Sequence, residues 1–295
     1  AVGLGLAAVL LAPSQAMRLV GLALYGGGAV LRPDLALIAV AACVPLAPYH
    51  VRLGPGSFAM FEVSLLVAVA AYAWTALLTP HRNAGAHGVR GWLRWVQRAT
   101  RPPADWAVLA LVLLGLVTSL HAEYRREALR EWRVVMLEAA LFYALLRATV
   151  HEGRLAMRLV DALWLSGVGV ALYALARYPL ADGVIEAEGV RRARAFFGSP
   201  NNLALILGRL LPLGVALTWH GATPWRRWLY GLGTLPVALA TILTFSRGAL
   251  FLAVPAALLY LTWSTRSRAV RLLSLIHISE PTRLLSISYA VFCLK

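Results

Sequence analysis

The stretch RRARAFFGSPNNLALILGRLLPLGVALTWH, Arg191 to His220, decides how this chain is interpreted. Its apolar part is about 20 residues long, enough for an α-helix to cross a lipid bilayer. Ser199 and Pro200 have the types expected for a helix N-cap and the first helical position. Three arginines come directly before this start, and Arg209 lies inside the run. Because a charge at that depth is costly, it should face the interior of a bundle.

The composition extends this interpretation to the whole chain. Apolar residues make up 60% of the sequence and the mean hydropathy is +0.71, far from the values of a soluble domain. We therefore predict an all-α fold, a polytopic transmembrane bundle with about nine or ten spans in this sequence. The predicted spans are 1–12, 18–31, 34–48, 59–79, 106–120, 133–150, 157–177, 200–219, 228–245 and 248–264.

The positive charge agrees with a membrane protein. The net charge is +15, and in a chain of apolar spans arginine-rich loops indicate topology and contact with lipid headgroups rather than with nucleic acid. The loop 81–105 carries five arginines and one acid, which predicts a cytoplasmic position. Alternation then places 121–133 and 178–199 on the outer face.

Both ends of the sequence are unusual. It begins inside an apolar run without methionine, and its last part, Leu273 to Lys295, back-translates into the constant parts of a common sequencing adapter. We therefore expect a transmembrane domain over 1–272, incomplete at both ends, and a non-native segment over 273–295.

The sequence holds no P-loop, no HExxH, no GxSxG and no Cys/His set with metal spacing. Its four aspartates are isolated in the sequence. We therefore predict an activity that uses no metal ion, nucleotide or other cofactor.

The arginines before Pro200 suggest an anion site. Arg191, Arg192 and Arg194 precede a helix N-terminus, whose N–H groups and dipole favour anions, and arginine suits phosphate binding. Arg247, in a short connection between two predicted spans, lies on the same side. The alternative is an interfacial arginine cluster that contacts lipid headgroups or nearby glutamates, and the residues alone do not decide between the two.

Two charges lie deeper in predicted spans. Arg209 and Glu138 should both face the bundle interior, where they can pair with each other; Glu62 is a weaker candidate of this kind. Either a structural ion pair or support for a catalytic site is compatible with this placement. Arg126, Arg130 and Arg133 recur at helical spacing and predict an amphipathic outer helix.

The motifs RARAFFGSPNNLALILGRLLPLGVAL and LTFSRGALFLAVPAALL resemble the O-antigen ligase and polymerase superfamily of bacterial envelopes. That family has an arginine before a Gly-x-Pro-Asn step at the start of a span, and Ser-Arg-Gly after the next span. This chain has Ala195 where the family often has glycine. The matching positions are Arg192, Gly198, Pro200 and Asn201 in the first motif and Ser246, Arg247 and Gly248 in the second.

The resemblance implies a glycosyltransferase of the bacterial inner membrane with its active face outward. It would transfer a glycan from a polyprenyl-diphosphate donor to lipid A core, another glycan or a protein hydroxyl, acting as a ligase, a polymerase or a protein O-oligosaccharyltransferase. Arg192 and Arg247 would hold the diphosphate, with Arg191, Arg194 and Asn201 assisting.

The family's proposed histidine base lies in an outer loop that would follow Arg271, so we expect this chain to be inactive in transfer. A transporter or flippase for an anionic lipid would also use intramembrane charges, and would predict internal repeats that the sequence does not show. A membrane scaffold without catalytic function would leave the convergence of outer arginines unexplained.

Overall fold

The computed structural model describes residues 1–54, 56–78, 103–150, 153–180, 182–187, 189–221 and 223–264. The predicted loop over 81–105 falls almost entirely outside these ranges, as do the segment 273–295 and the arginines that follow 264. The fold is mostly helical, and all ten predicted apolar runs contain a helix. The chain divides into two compact units, Ala1–Leu163 and Trp164–Lys295, which are described separately.

The first unit consists of short helices and one β-hairpin. A π-helical turn, Trp132–Leu137, joins two of its helices, and a 3-10 turn, Val44–Leu46, precedes the hairpin. The elements are α1 (Val2–Leu11), α2 (Gln15–Leu31), α3 (Pro33–Cys43), β1 (His50–Leu53), β2 (Gly56–Ala59), α4 (Met60–Leu78), α5 (Pro103–Leu120), α6 (Arg125–Glu131), α7 (Glu138–Thr149) and the start of α8 (Gly153–Arg177).

Helices α1 and α2 pack closely because glycine faces glycine. A Cβ added at Gly5 would lie 2.5 Å from the backbone nitrogen of Tyr25 and 2.7 Å from the carbonyl oxygen of Gly21. Only a residue without a side chain fits there. Tyr25 is fully buried and forms a small core with Val2 and Ala39.

The second unit holds the rest of α8, a β-hairpin and three long helices. Its further elements are β3 (Val184–Ala187), β4 (Val190–Ala193), α9 (Pro200–His220), α10 (Pro224–Leu243) and α11 (Arg247–Ser264). The predicted start of α9 is confirmed: the Ser199 side chain accepts a hydrogen bond from the Asn202 N–H, and Pro200 is the first helical residue. Helix α9 packs against both α10 and α11.

The β3–β4 hairpin was not predicted, since the arginine-rich segment was interpreted as a loop. The strands pair antiparallel, with Ile185 opposite Arg192 and Ala187 opposite Val190. Gly189, between the strands, has a φ of +73°, a conformation that glycine adopts without strain. The hairpin fixes in space the arginines that precede α9.

Two helices in the described ranges are long and apolar enough to cross a membrane by length and composition, Gly153–Arg177 and Pro200–His220. Others, such as Val2–Leu11, are apolar but shorter. At 1.5 Å per residue a ten-residue helix covers only about 15 Å, half of the hydrocarbon thickness of a bilayer. The sequence pattern also counted apolar runs shorter than 18 residues, such as 18–31 and 34–48, and therefore gave a larger number.

Candidate functional site

A cavity of about 1040 Å³ lies in the second unit, and three arginines from three different elements line it. Arg192 comes from β4, Arg209 from α9 and Arg247 from the first turn of α11. No aspartate or glutamate is among the described residues of its lining. Within its described lining the cavity therefore offers three positive charges and no carboxylate, which is the arrangement expected of an anion-binding site.

Strand geometry decides which of the hairpin arginines reaches the cavity. Side chains alternate between the two faces of a strand, and Val190 and Arg192 both line the cavity. Arg191 points to the other face, where its Nη2 donates to the Tyr178 carbonyl oxygen at 3.1 Å and its guanidinium lies 5.6 Å from the ring centroid of Tyr178. Of these neighbours in sequence, only Arg192 is placed to bind a ligand.

Two hydrogen bonds hold the Arg192 side chain in place. Its Nε donates to the carbonyl oxygen of Thr244 at 2.9 Å, and its Nη2 donates to Oδ1 of Asn201 at 3.0 Å. These contacts join β4 to the end of α10 and the start of α9. An arginine has five N–H donors in a fixed fork, so most of them stay available to a ligand.

Two helix N-termini meet at the same part of the cavity. Asn201 and Asn202, in the first turn of α9, line it together with Ser246 and Arg247 at the start of α11. In α11 the Leu250 N–H donates to the Ser246 carbonyl oxygen at 3.0 Å. Unpaired N–H groups and the positive end of the helix dipole add to the charge of the arginines.

The remaining wall of the cavity is apolar. Arg209 lies within this part, about 13 Å along α9 from Pro200 at 1.5 Å per residue. Gly208 faces Ala253, and a Cβ at Gly208 would lie 3.1 Å from the Ala253 Cβ. The apolar wall consists of Ala204, Leu205, Gly208 and Pro212 on α9 and Ala249, Leu252, Ala253 and Ala256 on α11.

Two residues, one in the cavity lining and one just after β4, have left-handed backbone conformations. Phe245, which lines the cavity, has a φ of 48°, and Ala195, just after β4, has a φ of 53°. Residues with a Cβ rarely adopt this region, and such strain is concentrated at functional sites. Phe245 follows Thr244, so the strained turn also orients the carbonyl group that accepts from Arg192.

The other predicted site residues lie elsewhere. The backbone N–H of Arg194 donates to the Gly183 carbonyl oxygen at 2.9 Å. The side chain of Arg194 is not part of the cavity lining. Glu138, in the first unit, pairs with Arg133, whose Nη1 lies 3.4 Å from Glu138 Oε1. Arg133 is therefore the ion-pair partner of Glu138, a role for which the sequence suggested Arg209. In the described ranges no group of three or more His, Cys, Asp or Glu residues is placed to hold a metal ion.

Several lining residues were not predicted. Asn202 and Phe245 adjoin the two motifs and could have been included by position alone. The apolar wall has a clearer signal in the sequence. Small residues recur at helical spacing on α9 and α11, which allows both helices to border one cavity.

Comparisons with protein-family models, with curated proteins and with solved structures find no match. The fold and the cavity by themselves define a mostly helical protein with a cationic, partly apolar cavity.

Proposed function

We propose that this chain belongs to a polytopic glycosyltransferase of the bacterial inner membrane. It takes a glycan from a polyprenyl-diphosphate donor on the outer face and transfers it to an acceptor: lipid A core, another glycan or a protein hydroxyl. A ligase is the preferred form, and a polymerase or a protein O-oligosaccharyltransferase would use the same donor site.

The observation that carries the proposal is the amphiphilic lining of the cavity. Arg192, Arg247 and two helix N-termini surround one part, and small or apolar residues line most of the rest, with Arg209 among them. A polyprenyl diphosphate has the same division, with a multiply charged head and an apolar chain. A small soluble anion would use only the cationic part.

The same lining suits the chemistry of transfer. When the glycosidic bond to the diphosphate breaks, negative charge develops on the leaving oxygen, and fixed donors aimed at this charge lower the barrier. Arg192 is held by Thr244 and Asn201 before the ligand arrives, so little reorganisation is needed. Arg247 and Arg209 supply further positive charge from α11 and α9.

An apolar stripe on α10 supports a membrane environment. Its residues recur every three or four positions over 18 residues, about 26 Å from first to last at 1.5 Å per residue, close to the thickness of the hydrocarbon core. Water would not favour such a large apolar face. The exposed residues of the stripe are Trp225, Trp228, Leu229, Leu232, Leu235, Leu239 and Ile242.

The contact between α1 and α2 is also typical of membrane helices. Small residues let helix backbones approach closely where no hydrophobic effect drives association. Gly5 and Gly21 provide such a contact here.

Two structural features agree with the resemblance to the O-antigen ligase superfamily. Ala195 adopts a left-handed conformation at the position where the family often has glycine. Arg192 and Asn201, both positions of the first motif, are joined by a hydrogen bond.

Binding and transfer are tested separately. The chain is reconstituted in lipid nanodiscs and titrated with undecaprenyl diphosphate, with undecaprenol as the neutral control. We expect saturable binding of the diphosphate only; equal binding of the alcohol would contradict the proposal. Glycan transfer is then measured with a lipid-linked oligosaccharide and an acceptor.

The alternative, a transporter for an anionic lipid, is separated by one further measurement. Proteoliposomes with a fluorescent lipid diphosphate in one leaflet report movement between leaflets. Movement that depends on the protein would favour the transporter; binding without movement supports the transferase.

A further inference from the structure

A second cluster of charges lies in the first unit, and neither the cavity nor its proposed ligand involves it. Glu62, in the first turn of α4, and Glu138, at the start of α7, are each only 5% exposed. Nη1 of Arg133 donates to both, in close contact with Glu62 Oε1 and at 3.4 Å from Glu138 Oε1. Two buried carboxyl groups therefore share one guanidinium.

Part of this cluster has no hydrogen-bond partner. Oε2 of Glu138 is buried and makes no hydrogen bond with the described residues. An ionised carboxylate has two strong acceptor oxygens, and burying one of them unpaired is very unfavourable. A protonated carboxyl group avoids most of this cost because it carries no charge.

The charge count leads to the same result. Two carboxylates and one guanidinium would leave a net charge of −1 at a site where both carboxyl groups are buried. Like charges that share a site favour protonation of one of them. One added positive charge makes the cluster neutral.

A π-helical turn makes the cluster possible. Residues five apart, such as Arg133 and Glu138, lie about 140° apart around a regular α-helix. In the turn Trp132–Leu137 the backbone hydrogen bonds join residues five apart, which brings these two side chains toward the same side. Such turns are frequent at functional sites.

The other charged groups on neighbouring elements do not neutralise Glu138. Within the described residues, the charged groups that act on Glu138 electrostatically are Glu62 and Arg133, the other members of the cluster. On α5, Asp105 is engaged by Tyr143 and Arg147 toward the far end of α7. The charged side chains of α6 are exposed: Arg125, Arg126, Glu127, Arg130 and Glu131.

We propose that Glu138 is a proton-binding site, holding one proton on its carboxyl group at neutral pH while Glu62 stays ionised against Arg133. A proton needs a single oxygen, and Glu138 Oε2 provides it. A metal cation would need several oxygen ligands, and the described residues do not gather that many carboxylates here. The ligand is therefore a proton.

Infrared spectroscopy of the intact chain in nanodiscs tests this proposal. We expect a carboxylic-acid C=O band at pH 7 that is lost in Glu138→Gln and kept in the exposed control Glu131→Gln. Glu62→Gln should also lose the band, because Glu138 then becomes the only counter-ion of Arg133 and ionises. This third result distinguishes a carboxyl group whose protonation depends on Glu62 from an isolated buried acid.

Three outcomes would overturn the proposal. The first is the absence of an acid band at pH 7 in the wild-type chain. The second is a band that survives Glu138→Gln, which would assign the proton to another residue. The third is a band that appears only when sodium is replaced by a bulky organic cation, which would show a metal-cation site.

Discussion

Alanine substitutions of Arg191, Arg192 and Arg247 should differ in their effects on ligand binding and on stability. Arg247 lines the cavity, and its side chain makes no hydrogen bond within the described ranges. Arg192 lines the cavity and also joins three elements through Thr244 and Asn201. Arg191 faces away, onto Tyr178. We therefore expect Arg247→Ala to weaken ligand binding only, Arg192→Ala to weaken binding and stability, and Arg191→Ala to leave binding unchanged.

The magnitudes follow from the contacts. A hydrogen bond between a guanidinium and a phosphate oxygen contributes about 1.5–3 kcal/mol, so each cavity variant should raise the Kd for undecaprenyl diphosphate about 10- to 100-fold. Arg192→Ala also leaves the carbonyl oxygen of the buried Thr244 without its donor, which costs about 1–3 kcal/mol. Asn201 is exposed, so water replaces the arginine there.

The assay is ligand titration in nanodiscs combined with thermal unfolding of each variant without ligand. Arg247→Ala should unfold at a temperature no lower than that of the wild-type chain, and Arg192→Ala at a lower one. Equal affinity for the diphosphate in Arg247→Ala and the wild-type chain would refute the assignment of the cavity. A loss in Arg191→Ala as large as that in Arg247→Ala would show that general positive charge, rather than the cavity, binds the lipid.

Three further predictions follow from the fold. Ala195→Gly should raise the free energy of unfolding by about 0.5–1 kcal/mol. Glycine removes the strain of a left-handed alanine, about 1–2 kcal/mol, but its greater flexibility in the unfolded chain offsets part of this gain. An unchanged or lower unfolding temperature would contradict the turn geometry. Gly5→Ala should destabilise the first unit by about 1–3 kcal/mol, because its Cβ would meet the Tyr25 backbone; Gly3→Ala, which meets nothing within 4 Å, is the matched control in the same unfolding measurement. Brominated lipids should quench a variant that keeps only Trp228, which is 81% exposed, more strongly than one that keeps only Trp164, which is 3% exposed; equal quenching would exclude the proposed lipid-facing stripe.

Local features of this fold could be predicted from the sequence. The N-cap at Ser199 and the start of α9 at Pro200 depend on residues next to one another, and both predictions are confirmed. Every described helix except α6 also coincides with a predicted apolar run, because a long apolar run is itself a helix signal. Their positions near helix starts selected Arg191, Arg192, Arg194 and Arg247, and the family resemblance singled out Arg192 and Arg247. The structure brings these two to one cavity.

Features that depend on backbone geometry could not be predicted in this way. The β3–β4 hairpin decides that Arg192 faces the cavity and Arg191 does not, yet its strands are only four residues long. The glycine in its turn, Gly189, was the sequence feature from which the hairpin could have been predicted. Arg133 was assigned to an outer helical face by a period of 3.6 residues, and the π-helical turn changes that period and places it beside Glu138.

The cavity also gives a reason why a ligand should stabilise this fold. Arg192, Arg209 and Arg247 repel one another across a space whose described lining contains no acid, and two helix N-termini add positive potential. Natural folds place opposite charges near such a cluster unless the counter-charge comes from outside. Here Asn201, a neutral side chain, accepts from Arg192, so the guanidinium is positioned while its charge stays available. A bound diphosphate would supply the missing negative charge, and the second unit should therefore unfold at a higher temperature in its presence.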